Sequence, residues 1–225
     1  MYTQSRRTFR YCENHNAIKL TGKQLHYSNQ SDWRNGDTMK HIPLLEKDEI
    51  EDPEFKEFWE NYRFDLALFH VWAHVPKAFK AYTAFNRTIW EEEEGGFPML
   101  LKEIAVVQAS VLSNSSYEWG NHGASMVRRG GTQEQLDALI AGEANSDLFD
   151  DTEKLVIKFT TEVVIDAKPT EETFTAMAKL YSNKQISELV WAICAYMTNS
   201  RFANLGGCEI GDDENYGMFS LGRKT

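Results

Sequence analysis

Leu101–His122 reads LKEIAVVQASVLSNSSYEWGNH: an apolar run, a polar break, and a segment carrying charged and aromatic side chains. Within the run, Ile104, Val107 and Val111 recur at three and four residues, the period of one helix face, with Glu103 set among them. Ser113-Asn114-Ser115-Ser116 is a cluster of turn-forming and capping residues. Beyond it come Tyr117, Glu118, Trp119 and His122, and the spacing of four puts Glu118 and His122 on one helix face. The stretch therefore predicts two successive helices that meet at a serine-rich break and bring a carboxylate-histidine cluster with them.

Working outward, the same texture continues in both directions. Asp52-Pro53-Glu54 is a helix start, with Asp as N-cap and Pro at the first helical position. Phe55, Phe58, Trp59, Tyr62, Leu66 and Phe69 form a stripe that runs on to Ala73, predicting one long helix until Val75-Pro76 interrupts it. A helix with Phe79, Tyr82, Phe85 and Trp90 follows and ends in the acidic run Glu91–Glu94, read as a solvated helix end. Phe97-Pro98 opens the helix that contains Glu103. The helix after the break closes at Arg128-Arg129 and Gly130-Gly131, cations and then glycine. Thr132 with Gln135 is a capping box, Asp150-Asp151 and Thr170 begin two further helices, and the last runs from Gln185 to about Leu205 before Gly206-Gly207. Outside the N-terminus no segment alternates with the period of a strand, so the fold is expected to be all-α. The organisation is an irregular arm over 1–40, a helical domain over 41–211, and a polar, loose tail over 212–225.

The chain has 225 residues and a net charge of −10. Residues 1–40 hold seven Lys/Arg and three Asp/Glu, leaving 17 basic and 31 acidic residues for the body. An acidic body disfavours a nucleic-acid partner. The absence of a long apolar run argues against a membrane partner, and the N-terminus lacks the apolar core of a signal peptide, so a cytoplasmic location is expected. Cys12, Cys194 and Cys208 are odd in number with no C-x-x-C spacing, which points to reduced thiols.

Each candidate site residue also has an ordinary structural reading. Ser115 and Glu118 match a capping box, in which the glutamate only closes the helix N-terminus. Glu103 fits the outer face of its helix, and His122 fits a hydrogen-bonded histidine at a core edge. Against these stands a set of two carboxylates, an imidazole and the phenol of Tyr117, groups suited to proton transfer next to a carbonyl. Neither a P-loop nor a dinucleotide fingerprint is present, and no cofactor is expected. A metal site built from Glu103, Glu118 and His122 is an alternative.

Ile42-Pro43-Leu44-Leu45, Ala73-His74-Val75-Pro76, Leu101-Lys102-Glu103, Ser116-Tyr117-Glu118-Trp119 followed by His122, and Gly130-Gly131-Thr132 resemble the carboxymuconolactone decarboxylase and alkylhydroperoxidase D-like family. The resemblance runs from about 41 to 211. It implies packed helical hairpins assembled as trimers or hexamers, a homo-oligomer with pockets near subunit contacts. The peroxidase branch carries a Cys-x-x-Cys pair after its glutamate; here those positions hold Ser115 and Glu118, with Tyr117 where a histidine stands. A serine and a carboxylate cannot exchange disulfides, so thiol peroxidase activity is not expected.

The decarboxylase branch implies a lyase acting on a small unsaturated, lactone or aromatic-derived acid, with Glu103, Glu118 and His122 catalytic. Ser115, Tyr117, Trp119 and Arg201 are candidates for contacting that small-molecule substrate. Hydrolase, dehydratase and isomerase reactions on the same scaffold, and a non-enzymatic binding role, are the alternatives.

Overall fold

The computed structural model describes residues 41–62, 65–210 and 212–213. The expected arm over 1–40 and the tail beyond 213 lie outside the described residues. All regular structure among the described residues is helical.

After a short turn at Lys47–Glu49, the helices are α1 (Pro53–Glu60), α2 (Ala67–Trp72), α3 (Pro76–Trp90), α4 (Met99–Leu112), α5 (Ser116–Arg128), α6 (Gln133–Ile140), α7 (Asp151–Asp166), α8 (Glu171–Leu180) and α9 (Asn183–Gly206). Four of the predicted starts hold at atomic level, while the last helix begins at Asn183, two residues before the expected Gln185. Asp52 accepts from the Glu54 and Phe55 amides, Thr132 from Gln135, Asp150 from Glu153 and Thr170 from Thr173. Each such cap contributes about 1 kcal/mol.

The expectation of one long helix before Pro76 fails. The stripe from Phe55 to Ala73 is two helices, broken between Asn61 and Leu66. In a continuous helix Tyr62 and Phe69 would sit about 10 Å apart along the axis. With the chain folded back, their rings meet edge to face at 5.4 Å, and Trp59 reaches His70 at 4.9 Å. Phe79 of α3 then packs against Phe55, Trp59, Phe69 and Trp72. Aromatic burial on both flanks outweighs the helical periodicity of the linking residues.

α4 is the axis of the body. Every residue from Lys102 to Ser110 is buried, so this helix is enclosed on all sides, packing against α5, α7 and α9. Three buried clusters use it: Ala105 and Ala109 with Phe159 and Leu189, Ile104 and Val107 with Met126 and Leu139, and Val106 with Ala192 and Tyr196.

Candidate functional site

The serine-rich break is a tight reversal. Asn114 adopts a left-handed conformation (φ 53°), the role asparagine fills after a helix end, and the Ser115 amide reaches back to the Ser110 carbonyl at 3.0 Å. α5 therefore folds antiparallel along α4. Glu103 lies eleven residues before Asn114, and His122 and Ser125 lie eight and eleven after it, so one hairpin brings them side by side.

Glu103 is completely buried, where an outward-facing position was the ordinary reading. Its Oε2 accepts from His122 Nδ1 at 2.8 Å, and its Oε1 accepts from the Ser125 hydroxyl and from Arg129 Nε at 3.3 Å. Arg129 also pairs with Glu92 at 2.9 Å, so part of the acidic run is tied to the site. Because Glu103 accepts from these donors, the hydrogen bond to His122 puts a proton on Nδ1 and leaves Nε2 for other chemistry. The imidazole is held on both sides. Trp90 stacks on it at 5.1 Å, Tyr196 meets its edge at 4.3 Å, and the Trp90 indole N–H donates to the Tyr196 hydroxyl at 2.9 Å.

Glu118 corrects its capping-box reading. Ser115 is the N-cap residue of α5, but its side chain makes no capping bond, and both Ser115 Oγ and Glu118 Oε1 are buried without a hydrogen-bond partner. Burial pushes the Glu118 carboxyl up to about 7; the nearby His122 opposes the rise and Asp213 adds to it. A carboxyl in this state exchanges a proton near neutrality.

Asp213 belongs to the supposedly loose tail, yet it is buried. It accepts from the Tyr117 hydroxyl and from the Ala67 amide, both at 2.7 Å. Its pKa is raised, burial being the main cause. Tyr117 is thereby committed to Asp213, and burial together with that carboxylate raises the phenol's pKa well above the usual tyrosine value.

Two candidates fall elsewhere. Trp119 packs with the Ile104, Met126 and Leu139 cluster, because one residue past Glu118 the helix has turned by about 100°. Arg201 is exposed and its guanidinium donates to the Met197 carbonyl one turn earlier in α9. Ser125, Arg129, Trp90, Tyr196 and Asp213 were not anticipated. The first two carried a signal, since Glu118, His122, Ser125 and Arg129 follow one another at four, three and four residues along one helix face. The others arrive from distant elements. Among the described residues, no three His, Cys, Asp or Glu side chains form a group able to hold a metal ion, and no helix is long and apolar enough to cross a membrane. Cys194, on α9, is a free thiol.

Residues 76–158, from the start of α3 into α7, match the carboxymuconolactone decarboxylase family. Two solved structures share the fold. A peroxidase-related protein from Ralstonia eutropha JMP134, with an alkylhydroperoxidase AhpD core, aligns over 80% of this chain and 95% of its own at 17% identity and a TM-score of 0.64. A protein from Agrobacterium tumefaciens, described as a putative antioxidant defence protein AhpD, aligns over 60% of this chain and 92% of its own at 17% identity and a TM-score of 0.54. No curated protein matches the chain significantly.

Proposed function

We propose that this chain, with its carboxymuconolactone decarboxylase match over 76–158 and its AhpD-like helical fold, is a cofactor-independent carbon–carbon lyase that decarboxylates a small unsaturated lactone acid. The observation that carries the reading is Glu118, a buried carboxyl released from helix capping and poised near neutrality beside an oriented imidazole.

The chemistry needs one proton. When the carbon–carboxylate bond breaks, CO2 leaves and the electron pair passes into the unsaturated lactone as a dienolate; a proton must then be placed on carbon. Protonated Glu118 first passes its proton to His122 Nε2 while Glu103 holds Nδ1–H, and the resulting imidazolium delivers that proton from Nε2 to the dienolate carbon; Glu118 is reprotonated from solvent. The Trp90 and Tyr196 rings limit the motion of that imidazole. Ser115, whose hydroxyl is buried without a partner, is a further group for the substrate.

Thiol peroxidase chemistry finds no support on α5, where Ser115 and Glu118 stand at the positions the resemblance assigns to thiols. The exposed Ile165 and Leu180, in the region of α7 and α8, support subunit contacts in a homo-oligomer.

The test is CO2 release from a carboxymuconolactone by exhaustively chelated protein. Wild type is expected to turn it over, with Glu118→Gln and His122→Ala each reduced by about a hundredfold or more, the usual size of a lost acid/base group. Parental rates in both folded variants, or activity that disappears on chelation, would overturn the assignment.

A further inference from the structure

The junction of α3 and α4 has a second side. Ile89 and Glu91 line a cleft of about 560 Å3, while Trp90 between them turns onto His122. Lys102 and Glu103 divide in the same way, Lys102 lining the cleft and Glu103 holding His122. None of His122, Glu103 and Glu118 borders the cleft. Its volume is that of a small-molecule site.

Part of the lining is apolar, the rest polar. Phe85 and Trp191 meet edge to face at 5.4 Å, and Ile89, Phe97 and Met99 continue the lining. Trp191 is 60% exposed, the most exposed of the large apolar side chains described on α9. Lys102 is the reverse, a lysine only 4% exposed. Its ammonium has three donors; the Ile89 carbonyl takes one at 2.8 Å, and among the described residues no carboxylate lies within ion-pairing distance. Burial lowers its pKa, the mark of a cation short of partners.

Charge restricts what fits. Glu91, Glu92, Glu93 and Glu188 also line the cleft. Three of them are already engaged: Glu92 by Arg129, Glu93 by Lys184, and Glu188 by Lys184 and the Phe97 amide. Their combined field opposes an anion, and the ammonium opposes a cation. An acceptor oxygen without charge satisfies both.

We propose that this cleft binds an uncharged aromatic or branched molecule bearing a carbonyl oxygen, its body against Phe85 and Trp191 and its oxygen accepting a hydrogen bond from Lys102. The site is independent of the reaction proposed at His122, and the outcome of one test leaves the other standing.

Benzamide, benzoate and benzylamine serve as neutral, anionic and cationic probes of one shape, measured by saturation-transfer NMR and titration on the full chain, Lys102→Met and Trp191→Ala. Benzamide is expected to bind wild type at millimolar concentration and to weaken about tenfold in each variant, the value of one charge-assisted hydrogen bond or one aromatic wall. The two charged probes are expected to bind about tenfold less well than benzamide. Trp191→Ala replaces an exposed side chain and decides the matter alone if Lys102→Met fails to fold. The proposal is overturned if benzamide does not bind, if a charged probe binds better, or if Trp191→Ala leaves its affinity unchanged. It is also overturned if Trp191→Ala lowers the oligomeric state in sedimentation, which would make this face a subunit contact.

Discussion

Replacing Glu103 by alanine removes a carboxylate with no solvent exposure that accepts from three side chains, His122, Ser125 and Arg129. Taking away one member of a buried ionic group costs about 3–5 kcal/mol, because the partners are left desolvated. Arg129 keeps Glu92 as a second partner, so its charge is not stranded and the lower end applies, about 3 kcal/mol. Urea unfolding at neutral pH measures this as a fall in midpoint with the slope unchanged. Arg129→Ala made alone and with Glu103→Ala isolates their coupling, expected at about 1 kcal/mol. A loss below about 1 kcal/mol for Glu103→Ala would show that the network does not organise α5 against α4.

Other consequences follow from the same structure. The Glu118 carboxyl is raised from 4.5 to about 7, so the folded state holds a proton that the unfolded state has lost, and stability declines as pH rises through that window. Glu118→Gln is therefore expected to unfold like wild type below about pH 4 and to be more stable by about 3 kcal/mol at about pH 8; a pH-independent difference would contradict this. Asp213→Asn removes a charge that raises Glu118, so the Glu118 midpoint in a carboxyl titration is expected to fall, and an unchanged or higher midpoint would refute the coupling. Gly206→Ala drives a methyl group into Val71 where α9 crosses α2, and a thermal unfolding scan is expected to register a loss of about 1–3 kcal/mol.

The helical body was legible because its signals are local. Asp52-Pro53, Thr132 with Gln135, Asp150 and Thr170 each state a helix start in a few residues, and the reversal at Asn114 is marked by the turn residues around it. The break between α1 and α2 was not legible, because the stripe through Tyr62 and Phe69 keeps helical spacing while the packing that decides the matter is nonlocal. The site divides along the same line. Glu103, Glu118 and His122 were singled out from spacing along the chain, and the α4–α5 hairpin brings Glu103 against His122. Trp90, Tyr196 and Asp213 come from α3, α9 and the segment after it, and no pattern near His122 announces them. Ser115 and Glu118 satisfy the spacing of a capping box, and only the side-chain geometry shows that the box is not formed.

The central claim is that α5 carries a carboxyl that exchanges a proton near neutrality beside an oriented histidine. Its most direct measurement is a carbon-13 NMR titration of the Glu118 side-chain carboxyl, assigned by comparison with Glu118→Gln. The account predicts a midpoint at about 7. A midpoint at the ordinary glutamate value of 4.5 would contradict it and leave Glu118 without the property on which the proposed chemistry depends.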